Sequence, residues 1–197
     1  MKTMPTITHL TTEQLHAGLG EIEGSPKLEG VLELIVRRPA VDVREVLQEG
    51  ELDLVEGLVG DTWSQRGSSR SVDGRAHPEM QINVMNVRAA ALVAQHPERW
   101  ALAGDQLYVD LDLSGENLPA GTRLAIGTSV IEVSAEPHTG CHKFVARFGL
   151  DAMKFVNSPV GRRLNLRGIN ARVVRPGTIR VGDIVRRLDV DLDCGHV

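Results

Sequence analysis

Three stretches constrain this chain more than any others: "QLYVDLDL" (106–113), "TRLAIGTSVIEVSAE" (122–136) and "INARVVRPGTIRVGDIVRRL" (169–188). Each is a run of short segments rich in Val, Ile and Leu, punctuated at close intervals by Gly or Pro. That spacing leaves no room for crossover helices and predicts an antiparallel barrel rather than a βαβ sheet. Within the second run, Gly127-Thr128 has the form of a two-residue hairpin turn. Within the third, Pro176-Gly177 reads as another. The chain is expected to be mostly β with a few helices, an α+β protein built on a closed barrel.

The rest of the 197-residue chain fits around that barrel. "HLTTEQLHAG" opens with a short helix, and Thr11 and Gln14 have capping-box spacing. "EGVLELIVRRP" is a strand, with Val31, Glu33, Ile35 and Arg37 on one side and Leu32, Leu34 and Val36 on the other. "DVREVLQEGELDLVEGLVGDTW" (42–63) reads as a short helix followed by a turn at Gly57–Asp61. "SQRGSSRSVDGRAHPE" (64–79) is a polar loop, long for a compact domain. Gln81–Met85 reads as a strand running into a helix over Asn86–Gln95, with Asn86 as N-cap and His96-Pro97 as the stop. "VARFGLDAMKFVNS" reads as one helix interrupted near Phe148–Gly149. The expected organisation is a helical extension over 1–25, the barrel over 26–188 and an acidic flexible tail over 189–197.

Composition narrows the function classes. Aromatic residues make up 3 % of the chain, too few for a nucleic-acid stacking platform. No stretch approaches the roughly 20 apolar residues of a membrane helix, and the N-terminus has no apolar run of signal-peptide length. Two cysteines far apart fit a reducing, cytoplasmic setting in which Cys141 is a free thiol. The net charge of −4 hides an uneven distribution. Pro137–Arg187 carries eleven Lys/Arg against two Asp/Glu, and the remainder is acidic. A basic block in an acidic protein suggests either a local anion site or two blocks that neutralise each other across the fold.

The chemistry concentrates in "SAEPHTGCHKF" (134–144). Cys141 sits in a Pro/Gly turn with His138 three residues before it, His142 directly after and Lys143 next. The reactive form of cysteine is the thiolate, and cationic neighbours favour it. A neutral histidine there can serve as general base or acid. The bland alternative is a small thiol with two surface histidines. A zinc site drawing on His77 is a further alternative, but no second paired motif completes a tetrahedral set. Lys143, Arg147, Lys154, Arg162, Arg163 and Arg167 are candidates to grip a phosphate, with Arg66, Arg70 and Arg75 in the polar loop and Arg88 at the helix start. Asn117 in "SGENL" is either a turn residue bonding its own backbone or a substrate contact. Cys194 and His196 in the tail are either frayed or resolving groups for Cys141.

The order of "GLVGD", "QINVMNVRAA", "DLSGENLPAG", "LAIGTSVIEVS", "PHTGC" and "LRGINARVVRPGTIRVGDIV" resembles the MOSC domain, named for the C-terminal domain of molybdenum-cofactor sulfurase. The resemblance runs from about residue 30 to 188. It implies a mostly β closed barrel of the MOSC type and a chain of the stand-alone kind. The family's cysteine corresponds to Cys141, which in relatives carries sulfur as a persulfide or ligates molybdenum through its thiolate. The resemblance therefore implies two chemistries. One is transfer of sulfur, or cleavage of a carbon–sulfur bond, in a small anionic sulfur compound, with His138 and His142 moving protons. The other is a molybdenum cofactor held through Cys141, its pterin phosphate gripped by candidates such as Lys143, Arg147, Arg163, Arg70, Arg88 and Asn117. Some members use that cofactor to reduce N-hydroxylated compounds, which here would require a separate redox partner, as sulfur carriage would require a donor protein. A non-catalytic module that binds a small anion or a protein partner is the third reading. No nucleic-acid or membrane partner is expected.

Overall fold

A computed structural model describes residues 8–68 and 70–188. The chain forms β1 (Glu29–Arg37), β2 (Glu45–Leu47), β3 (Glu49–Asp53), β4 (Gly57–Leu58), β5 (Ile82–Asn86), β6 (Leu107–Asp110), β7 (Arg123–Ile126), β8 (Ser129–Val133), β9 (Ile169–Arg175), β10 (Gly177–Arg180) and β11 (Ile184–Leu188). The helices are α1 (Thr12–Ala17), α2 (Leu19–Glu23), α3 (Val87–Ala94), α4 (His142–Asn157) and α5 (Pro159–Arg163). Strands run in the order β11-β7-β8-β9-β5-β6-β1, and pairing of β11 with β1 closes a seven-stranded barrel. Closure leaves this ring without a free edge. β2 pairs with Ile35–Arg37 of β1, beyond the Glu29–Val31 stretch that pairs with β11, and β10-β3-β4 form a second small sheet.

Strand alternation divides the apolar residues between two cores. Leu32, Ile35, Val84, Leu107, Val109, Leu124, Ile131 and Val185 fill the barrel, with Leu52, Leu58 and Ile179 of the small sheet joining them. Val36, Met85 and Tyr108 point the other way and pack beneath Leu15, Val93, Phe144, Phe148 and Phe155 of the helices. Each such side chain removed fully from water contributes about 1.5–3 kcal/mol. The strict two-residue alternation expected of β1 fails at one place. A bulge between Leu32 and Leu34 shifts the register against β6. Leu32 and Ile35 therefore share the barrel interior, while Leu34 and Val36 face the helical layer.

Three other expectations are corrected. Residues 42–63 hold no α-helix and form β2, β3 and β4 instead. In β3, Gly50 and Leu52 are buried while Glu49 and Glu51 are exposed, a two-residue period that helix propensity does not override. The barrel is not wholly antiparallel, because β5 and β6 run parallel and are joined through α3. Pro176-Gly177 does not close a hairpin: β9 already has β8 and β5 as neighbours, so β10 leaves to pair with β3.

Local signals elsewhere act as their chemistry requires. Thr11 and Gln14 form a reciprocal capping box on α1. The Asn86 side chain accepts from the amides of Arg88 and Ala89 to start α3. Gly127-Thr128 turns the β7–β8 hairpin, in which Ile126 pairs with Ser129. No helix among the described residues is long and apolar enough to cross a membrane. The tail residues 189–197, with Cys194 and His196, lie outside the described residues.

Candidate functional site

Cys141 caps the N-terminus of α4 with an extended backbone, and its side chain takes no part in the cap. The thiol is free and exposed. The turn before it is held from behind. Asn157, at the far end of α4, accepts from the Gly140 amide at 3.0 Å and donates to the Gly140 carbonyl at 3.1 Å. Asn157 reaches back because α4 is broken at Gly149, whose φ of 88° and ψ of 167° lie where only glycine is comfortable. The two halves of the helix fold against each other, and Gly140 sits against Met153 and Val156.

The two histidines flanking Cys141 part company. His142 and Lys143 are exposed on the first turn of α4. His138 turns inward, its side chain 13 % exposed, with Nδ1 3.3 Å from Oδ1 of Asp105. Asp105 is fully buried. Arg167 spans it, one Nη1 nitrogen donating to Oδ1 at 2.9 Å and Oδ2 at 2.7 Å. The other nitrogen of Arg167 donates to the Ala103 carbonyl. The guanidinium also lies 5.2 Å from the ring of Phe144, three residues after Cys141. Gly168, at φ 106°, backs the imidazole: a Cβ there would stand 2.4 Å from the Val84 carbonyl and 3.2 Å from His138 Nδ1. Burial, with the charges of Arg167, Arg38 and Arg70, holds His138 well below the usual imidazole range, so the ring is neutral near pH 7. Burial pushes Asp105 upward against the pull of Arg167.

A cationic cluster adjoins this buried set. Arg38 is buried at the end of β1, doubly bonded to Asp61 and donating to the Asn83 side chain and the Gly104 carbonyl. Arg66 reaches Asp61 at 3.4 Å. Arg147, in α4, donates to the Leu102 carbonyl and pairs with Asp42. A Cβ on Gly104 would lie 3.6 Å from both Arg44 Nη2 and Arg147 Nη1. Burial and the nearby charges of Arg147 and Arg38 lower the pKa of Arg44. Its Nε, like Arg167 Nε and His138 Nδ1, is buried with no hydrogen-bond partner among the described residues. The arginines thus converge on Gly104-Asp105, and α4 joins this cluster to Cys141.

The polar loop packs against the same turn. Arg70 donates to Glu136 at 2.9 Å and to the Pro137 carbonyl at 3.2 Å, immediately before His138. His77 Nε2 lies 4.0 Å from Glu136. Other sequence candidates sit elsewhere. Asn117 is buried, donating to the Lys27 and Asp112 carbonyls and accepting from Arg187. Arg88 is clamped on Asp110 and the Glu21 carbonyl. Arg163 pairs with Glu23 and is largely exposed. These three belong to the opposite end of β1 and β6 or to its helical surround, and none touches the Cys141 turn.

The basic block of 137–187 is largely answered by acids from outside it: Arg163–Glu23, Arg172–Glu132, Arg180–Glu49 and Arg186–Glu29. Arg38, Arg44 and Asp105, which the sequence reading did not single out, supply much of the site. Their only sequence signal was charge in or beside an apolar segment, as in "LELIVRRP". Among the described residues, no three His, Cys, Asp or Glu side chains group to hold a metal ion.

The family model for the MOSC domain matches residues 71–186. Among solved structures, the YuaD protein from Bacillus subtilis superposes with a TM-score of 0.61 at 17 % identity, over 80 % of this chain and 94 % of that one. YiiM from Escherichia coli superposes with a TM-score of 0.51 at 19 % identity, over 81 % of this chain and 70 % of that one. YiiM from Geobacillus stearothermophilus gives the same TM-score at 12 % identity, over 86 % and 77 %. At these identities the likeness is one of fold. No curated protein matches the chain in sequence.

Proposed function

Because the chain belongs to the MOSC domain family, we propose that it handles sulfur through Cys141, acting on a small anionic sulfur compound that the arginine cluster attracts. The observation that carries this reading is an exposed thiol with no structural duty, mounted on the helix that also supplies Arg147. In sulfur carriage the Cys141 thiolate attacks the outer sulfur of a donor persulfide. The donor's S–S bond breaks, a persulfide forms on Cys141, and the donor departs as a thiolate that takes up a proton. Sulfur changes hands with no external oxidant. His138 is a sheltered neutral imidazole with Nδ1 3.3 Å from Asp105, and its lowered pKa makes it a poor proton acceptor, so the proton taken up by the departing thiolate comes from solvent at the exposed turn.

A second reading is a molybdenum cofactor ligated by Cys141. The unpartnered Nε of Arg44 and the convergence of guanidinium groups at Gly104 support it, since a pterin cofactor carries phosphate. Arg44, Arg66 and Arg147 would hold that phosphate, and the bound metal would supply two-electron reduction chemistry.

Intact mass and metal analysis of freshly purified protein, beside Cys141→Ser, tests both readings. A gain of about 32 Da that vanishes on reduction and in the variant supports sulfur carriage. Molybdenum near one per chain, lost in the variant, supports the cofactor reading instead. Sulfur transfer retained by Cys141→Ser removes the thiol from the chemistry.

A further inference from the structure

Asp42 stands apart from the other charged groups of the arginine cluster. Its backbone has a φ of 59°, and among the described residues only Gln95 and Asn165 share a positive φ without being glycine. Its carboxylate is 2.9 Å from Arg147 Nη2 yet 65 % exposed. The residues on either side bury little: Val41 is 78 % exposed and Val43 46 %. The loop between β1 and β2 is closed by few bonds. Val43 donates its amide to the Ala40 carbonyl at 3.2 Å, and Arg44 Nη1 donates to the Val43 carbonyl. Asp61 and Asp105, the cluster's other carboxylates, are fully enclosed beneath Arg38 and Arg167. The Asp42 charge also acts on Arg44, though the two form no ion pair.

We propose that Asp42 is a displaceable internal ligand: its carboxylate occupies the anion position in front of Arg147 and Arg44, and an incoming oxyanion must dislodge it, opening the loop around Val41–Val43. This rests on the reading of the cluster as an anion site and adds a gate to it. A carboxylate tethered on a short loop competes at an effective concentration in the millimolar range. It therefore holds off weak anions and gives way to a doubly charged oxyanion that gains from both arginines. The exposure of the pair keeps its worth small enough to be overcome, and the left-handed backbone at Asp42 is relieved when the loop opens.

The test uses inorganic sulfate as probe, with Asp42→Asn against wild type and Glu45→Gln as a control. Glu45 pairs with Arg37 nearby, so its loss removes the same charge without touching the gate. Sulfate affinity measured by calorimetry is expected to rise about two- to fivefold in Asp42→Asn, the span an exposed ion pair's worth allows, and to stay unchanged in Glu45→Gln. Hydrogen exchange at the Val43 amide is expected to quicken on adding sulfate to wild type, and to be fast with or without sulfate in Asp42→Asn. Equal sulfate affinity in wild type and Asp42→Asn, or Val43 protection indifferent to sulfate, overturns the gate while leaving the anion site standing. Sulfate binding to neither protein overturns the anion site and the gate together.

Discussion

At the scale of single residues, the site is decided by which charges are enclosed. His138 and His142 are four positions apart, yet one is sheltered beside Asp105 and the other is in solvent. Burial, with the charges of Arg167, Arg38 and Arg70, keeps the His138 ring from taking up a proton although Asp105 lies 3.3 Å away. Unfolded, His138 binds a proton below about pH 6.5; folded, it resists doing so. The unfolded state therefore holds more protons in that range, and His138 contributes stability above about pH 6.5 that is lost as pH falls. His138→Gln is expected to flatten the decline in unfolding free energy between about pH 6.5 and one unit below, as measured by urea denaturation. A decline as steep as wild type would place its cause elsewhere. Asp105 acts in the opposite sense, its raised pKa favouring the folded state only at lower pH. "PHTGCHKF" made the importance of this turn legible. The inward turn of His138 was not, because it depends on Asp105 and Gly168, each about thirty residues away in sequence.

At the scale of elements, the break in α4 shapes the cysteine turn. Gly149 lets the helix double back, so that Asn157 bonds both the amide and the carbonyl of Gly140. His9 packs against the break, and a Cβ on Gly149 would stand 2.7 Å from its Nδ1. Gly149→Ala is expected to cost about 1–3 kcal/mol, from backbone strain alone, and to speed hydrogen exchange at Gly140 as the Asn157 clamp loosens. A variant as stable as wild type, with Gly140 equally protected, would show that the break is not what holds the turn. The interruption in "VARFGLDAMKF" was visible as a glycine inside an amphipathic pattern. The short strands β2, β3 and β4 were not, because "REVLQEGELD" carries helix-forming residues whose strand conformation is imposed by pairing with β1 and β10.

At the scale of the whole molecule, the barrel is held by contacts between distant segments. β1 closes against β11, so Glu29–Val31 pair with Ile184–Arg186 across most of the chain. Ile131, on β8, is fully buried in the interior. Ile131→Ala is expected to remove about 2–5 kcal/mol of stability, and Val72→Ala, at a fully exposed position, almost none. Comparable losses at the two positions, read from denaturant midpoints, would contradict the division between core and surface. The sequence alone determined the class of fold, the β7–β8 hairpin, the start of α3, the capped α1 and the residue most worth testing, Cys141. These are local matters: turn chemistry, capping and alternation act over a few residues. Tertiary structure decided the bulge that turns β1 over, the departure of β10 to a second sheet and the meeting of Arg38, Arg44 and Arg147 at Gly104-Asp105. Buried charge leaves no periodic trace along a chain; it becomes visible only when closure of the barrel brings its partners within bonding distance.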